Sequence, residues 1–86
     1  MKGMEKSLFS KDYAVFLREL RKARKESGLT QEEIGKKLGQ TQSFISKCER
    51  GERRLDVLEF RAFCKAIGVD FVQFVKSIDK KIGTKS

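Results

Sequence analysis

The residues able to do chemistry in this chain are few, and what is missing narrows the choice first. There is no histidine, so acid–base catalysis near neutral pH lacks its usual carrier. No paired carboxylates stand out, and no glycine-rich phosphate loop follows a strand. Ser46 and Lys47 are adjacent on one helical segment and so face different directions, which is no nucleophile–base arrangement. The two cysteines, Cys48 and Cys64, lack CxxC spacing and have no histidine to join them on a metal. Both sit among apolar neighbours at helical spacing and read as reduced core thiols. The expectation is therefore a protein that is not an enzyme and that uses neither metal nor cofactor. What remains is hydrogen bonding and charge. Gln42, Ser43 and Lys47 cluster in one short segment, Gln31 and Thr41 precede them, and Arg50, Arg53 and Arg54 crowd the stretch that follows. Taken singly, each is an ordinary polar surface residue; only their placement can give them a role.

The charge balance points the same way. Twenty Lys and Arg face twelve Asp and Glu, for a net charge of +8, and such an excess attracts polyanions. Nucleic acid and an anionic membrane surface are the two candidates. No apolar run approaches the roughly 20 residues of a spanning helix, and the start, MKGMEKSLFSK, lacks the apolar stretch of a secretory leader. We therefore expect a cytoplasmic protein with no membrane association. Its 86 residues suffice for one small core and no second domain.

The elements that must position these side chains are marked by glycines and caps. Gly28, Gly39, Gly51, Gly68 and Gly83 each close an apolar-periodic segment, as expected where the residue after a helix turns left-handed. Ser10 or Lys11 opens the first segment. Thr30 with Glu33 forms a capping box for the second, with Leu29 and Ile34 as its hydrophobic staple. Thr41 caps the third. Asp56 with Glu59 repeats the box for the fourth, with Leu55 and Phe60 as staple, and Asp70 with Gln73 repeats it for the fifth. The pattern predicts helices over 11–27, 31–38, 42–50, 57–67 and 71–81. Apolar stripes agree: Tyr13, Phe16, Leu17, Leu20 and Ala23; Phe60, Phe63, Cys64 and Ile67; Phe71, Phe74, Val75 and Ile78. Proline is absent, which suits packed helices. The fold class expected is all-α, a compact five-helix bundle over residues 11–81, with a partly disordered arm at 1–10 and a frayed tail at 82–86.

One stretch stands apart: GLTQEEIGKKLGQTQSFISKCERGERR, residues 28–54. Two short helices flank a turn at Gly39, with Ile34, Leu38, Ile45 and Cys48 facing the core. Gly35 interrupts the first of them at a cost of about 1 kcal/mol relative to alanine. Close approach is the expected reason, with the next helix crossing there and Ile45 packing on the bare backbone. The stretch resembles the Cro and phage-repressor-like XRE family of helix-turn-helix proteins. GLTQEEIGKKLG matches the first half of that motif, QSFISKCERGERR the second, and RRLDVLEFRAFCKAIGVD the helix that follows, so the resemblance covers residues 13–75. The family usually has alanine at Gly35, a larger apolar residue at Cys48 and proline near Leu55; all three departures keep the local logic.

The resemblance implies a lambda-repressor-like DNA-binding domain whose third helix enters the major groove. Gln42, Ser43 and Lys47 match the family's base-reading positions: glutamine pairs with adenine N6 and N7, and lysine donates to guanine O6 and N7. Gln31 matches a phosphate-contacting position. Thr41, Arg50, Arg53 and Arg54 are further phosphate candidates. Arg53 is the firmest of these, and Arg54 is balanced between phosphate and a nearby carboxylate. Phe44 either touches a thymine methyl or packs on the preceding helix, with packing favoured. Glu49 is implied to turn inward and pair with Arg24 of the first helix as a structural ion pair. Cutting one partner of a buried pair costs about 3–5 kcal/mol. The implied partner is double-stranded DNA with an inverted-repeat site, bound by a homodimer; the surplus apolar residues of the fifth helix, Phe71, Val72, Phe74, Val75 and Ile78, either all close the core or in part form the dimer face, the two readings being balanced. The implied function is transcriptional regulation, as a repressor. The rival is a protein-interaction module of the same fold, an antitoxin or adaptor, in which DNA binding is secondary.

Overall fold

The computed structural model describes residues 10–83. These form five α-helices: α1 (Lys11–Glu26), α2 (Gln31–Leu38), α3 (Gln42–Arg50), α4 (Val57–Ile67) and α5 (Phe71–Gly83). Among the described residues there is no strand, and no helix is long and apolar enough to cross a membrane. Of the expected arm and tail, residues 1–9 and 84–86 lie outside the described residues.

Each helix start is built from side-chain caps. Ser10 Oγ accepts from Tyr13 N–H at 3.0 Å. Thr30 and Glu33 make a reciprocal capping box, with Glu33 N–H to Thr30 Oγ1 at 3.1 Å and Thr30 N–H to Glu33 Oε1 at 2.8 Å. Asp56 and Glu59 make the second box, and Gln73 N–H donates to Asp70 Oδ2 at 2.9 Å. These bonds satisfy donors that the first turn of a helix leaves without intrahelical partners. The Thr30 contacts, the backbone bond first, hold the Glu33 carboxyl below its ordinary range.

Behind the caps is one core. Leu20, Ile34, Ile45, Phe63 and Cys64 are fully buried, with Phe60, Ile67 and Ile78 close behind. The Phe60 ring meets Phe16 edge-on at 4.9 Å and Phe71 at 5.4 Å, an arrangement favoured by the aromatic quadrupole. Through this core α1 packs on α3 and α5, α2 on α3 and α4, and α4 on α5. The fifth helix runs two residues past the expected 81. Ile82 packs against the core and carries the helix to Gly83, so Gly83 is its last residue rather than the residue beyond it.

The turn between α2 and α3 needs two glycines for different reasons. Gly39 ends α2 with φ +68°, a left-handed conformation that costs L side chains energy. Gly35 has ordinary helical geometry, but a Cβ there would stand 2.7 Å from the Gln40 carbonyl oxygen and 3.2 Å from the Thr41 carbonyl. The nearest approach at Gly35 is therefore made by the turn backbone. The chain folds back so tightly that Gln40 N–H donates to Gly35 O at 2.7 Å.

Candidate nucleic-acid interface

The third helix is fastened by one face and open on the other. Ile45, Cys48 and Glu49 are buried, whereas Thr41, Gln42, Ser43, Lys47 and Arg50 are exposed. Thr41 Oγ1 accepts from Phe44 N–H at 3.0 Å, so this side chain caps the helix while remaining on the surface. Ser43 and Lys47 stand one turn apart on the same side. Phe44 is half-buried against the core, with the Arg53 guanidinium 4.6 Å from its ring centroid.

Beneath the open face runs a connected set of hydrogen bonds. Arg24 and Glu49 meet in the interior, 10% and 1% exposed, in a two-pronged pair: Arg24 Nε to Glu49 Oε2 at 2.6 Å and Nη2 to Oε1 at 3.0 Å. The remaining Arg24 nitrogen donates to the Leu29 carbonyl at 3.0 Å. Glu49 Oε1 also accepts from Gln31 Nε2 at 2.9 Å, and Gln31 Oε1 accepts from Gln42 Nε2 at 2.8 Å. Arg21, which the sequence did not single out, donates to the Glu49 backbone carbonyl at 2.8 Å. A buried ion pair is retained only when its lone pairs and protons are met, and here every Arg24 nitrogen and both Glu49 oxygens are engaged. The three helices α1, α2 and α3 are thereby tied at one point.

The loop after α3 divides its arginines. Arg53 grips Glu59 with both terminal nitrogens, at 3.0 and 2.9 Å, and donates to the Arg54 carbonyl at 2.9 Å. The Arg53 guanidinium holds the Glu59 carboxyl below its ordinary range, helped by the Asp56 backbone bond. Arg54 instead lies over the Tyr13 ring, 4.6 Å from its centroid. The carboxylate pairing weighed for Arg54 thus falls on Arg53. The guanidinium expected to meet phosphate thus also braces the loop against α4, while its side chain stays 43% exposed. Arg50 is exposed, paired with Glu52 at 2.8 Å and bonded to Ser46 Oγ. Glu59 was legible only as a cap, because a six-residue separation across a loop has no periodic signature.

Both cysteines are free and buried, and burial pushes both thiols up, that of Cys64 to about 11. They are packing residues.

A surface of this kind, an anchored short helix after a tight glycine turn, is matched by the helix-turn-helix family model over residues 20–74. The chain belongs to the XRE family of helix-turn-helix proteins. An uncharacterized HTH-type transcriptional regulator of Sinorhizobium fredii, y4dJ, is 39% identical to it over 57 residues, covering 66% of this chain and 74% of the relative. A solved XRE-family-like protein from Pseudomonas syringae pv. tomato superposes with a TM-score of 0.80 at 41% identity, over 88% of this chain and 93% of the other. In this XRE-family protein the matched region, residues 20–74, takes in α2, the turn and α3.

Proposed function

We propose that this protein is a sequence-specific double-stranded-DNA-binding transcriptional regulator that reads the major groove with α3 and acts as a repressor. The observation that carries this reading is the split character of α3: its apolar side and Glu49 are locked into the core, while Gln42, Ser43 and Lys47 project into solvent. A groove about 12 Å wide admits one helix, and a helix that must stand proud of its domain needs that anchoring. In this reading Gln42, Ser43 and Lys47 face base edges. Gln31, Thr41, Arg50 and Arg54 lie along the phosphates, with Arg53 serving chiefly to hold the loop that presents them. The net charge of +8 supplies the sequence-independent attraction. The free buried thiols suit the reducing cytoplasm. What favours DNA over a protein partner at α3 is that this helix carries none of the exposed large apolar residues among those described: Val57, Leu58, Val72 and Val75 are on α4 and α5.

Selection of bound sequences from random duplex DNA at fixed salt tests the proposal. The wild type is expected to yield an inverted repeat with half-sites about 34 Å apart. Gln42→Ala is expected to flatten the preference at one or two base pairs per half-site. A wild type that selects no sequence, or a Gln42→Ala variant with the site unchanged, refutes groove reading by this helix.

A further inference from the structure

We infer that one face of α1 carries a second track for nucleic acid, formed by Arg18, Arg21, Lys22 and Lys25, which grips the sugar–phosphate backbone of the same duplex beyond the bases that α3 meets; this rests on the groove reading above. These four residues and Glu26 line a groove of about 440 Å³. Their spacing of three and four residues sets the cations side by side on the helix, and like charges so placed weaken it. The chain offers little to offset them. Arg18 approaches Glu19 only at 3.9 Å, and among the described residues Arg21, Lys22 and Lys25 enter no ion pair. Arg50 and Arg53 differ in this respect, since each has a carboxylate of the chain itself, Glu52 and Glu59. Arg21 Nη1 donates to the Glu49 carbonyl at 2.8 Å, which seats the stripe beside the last turn of α3. Four cations held together without carboxylate partners call for an anion from outside.

Length and continuity choose the anion. Arg18 to Lys25 covers about 10 Å of helix. A strand of duplex DNA carries one phosphate per about 3.4 Å of axis, so that length faces about three phosphates. A duplex presents this row ready-made, whereas an acidic peptide would first have to order itself into one. Lys25 also lines the neighbouring groove together with Thr30, Gln31 and Gln42. The stripe is thus continuous with the surface proposed to meet DNA, and one duplex can run over both. Phosphate contacts carry no sequence information, so the track adds affinity and leaves base choice to α3.

The test uses the full chain and two duplexes that carry the selected site. One ends at the last base pair the wild type selects on each side; the other runs on by about 10 base pairs, one helical turn, at both ends. The track variant combines Arg18→Gln, Lys22→Gln and Lys25→Gln and spares Arg21, which is bonded to α3. It removes like-charge neighbours, so its melting temperature is expected to be no lower than that of the wild type. A control variant, Arg61→Gln with Lys65→Gln and Lys80→Gln, removes the same charge from α4 and α5. On the extended duplex the slope of log K against log salt is expected to be smaller in magnitude by about 2–3 in the track variant than in the wild type. On the trimmed duplex the two slopes are expected to agree, with base preference the same throughout, and the control is expected to follow the wild type on both. A track variant with the wild-type slope on the extended duplex, an equal loss on the trimmed one, or a control that loses as much overturns the inference. Wild-type slopes on both duplexes combined with lost retention of polyglutamate assign the stripe to an acidic protein and overturn it too. A wild type that selects no sequence, while the track variant still loses slope on a random duplex, sinks the groove reading and leaves the track standing.

Discussion

Arg53 and Arg54 show how little a residue's type says about its work. They are neighbours in sequence with equal charge, yet one is locked to Glu59 and the other lies on the Tyr13 ring. Arg54→Ala is expected to reduce the magnitude of the slope of log K against log salt by about 0.9, with base preference unchanged, as for any lost phosphate contact. Arg53→Ala is expected to lower the melting temperature and to weaken binding through a loosened loop. A larger loss of salt slope in Arg53→Ala than in Arg54→Ala would reverse these assignments. The thiols make a second case. Burial raises Cys64 to about 11, above the roughly 8.5 of a free thiol. The folded state thus keeps a proton that the unfolded chain releases. This contribution is intact below the unfolded value and is lost as pH rises toward 11. Thermal melts between pH 8 and 11 should show an alkaline decline that is shallower in Cys64→Ala, and both native thiols should resist alkylation at pH 8. Ready alkylation of the folded protein would contradict the buried placement. The buried character of Cys48 and Cys64 was legible because it follows from apolar periodicity. The Arg53–Glu59 pair was not, because it depends on the path of a loop.

At the scale of elements, caps and glycines carry most of the specification. Thr30, Thr41 and Asp56 each bond the N–H three residues on, and the four glycines with positive φ sit where helices end or turn. Local rules of this kind act within four residues, so helix starts and stops were readable from sequence alone. Gly35 is the place where a local rule and the tertiary structure disagree. Helix propensity favours alanine by about 1 kcal/mol. In this chain the turn backbone occupies that space, with the Gln40 oxygen 2.7 Å from a would-be Cβ. Overpacking against backbone costs about 1–3 kcal/mol. Gly35→Ala should therefore destabilise the fold by up to about 2 kcal/mol after the propensity gain, seen as a lower melting temperature or denaturant midpoint. A stabilised Gly35→Ala protein would mean that the turn yields freely. Sequence could announce that Gly35 marks a close approach. It could not identify the neighbour, since that is set by how sharply Gln40 returns to bond Gly35.

For the whole molecule, the governing question is how so small a body distinguishes one site among many. One α3 touches few base pairs, and phosphate contacts add affinity without information. Two copies on an inverted repeat would double the sequence read. Their half-sites lie about 34 Å apart on one side of the duplex, and this molecule measures 37 × 24 × 19 Å. Copies seated in successive major grooves can therefore touch when the long axis runs along the DNA. The material for such a contact is on α5, where Val72 and Val75 are 56% and 40% exposed while Ile78 on the same helix is buried in the core. The sequence stripe could not separate these valines from core, because a helix at the edge of a small bundle shares one apolar band between inside and outside. Replacing both valines by glutamine leaves the charge unchanged and removes exposed apolar surface only. The double variant should fold as stably as the wild type at low concentration, where both are monomeric. It should sediment as monomer where the wild type associates, and bind a full inverted repeat no more tightly than two independent half-sites. Wild type that stays monomeric at high concentration, both free and on DNA, would remove the dimer and leave specificity to a single recognition helix.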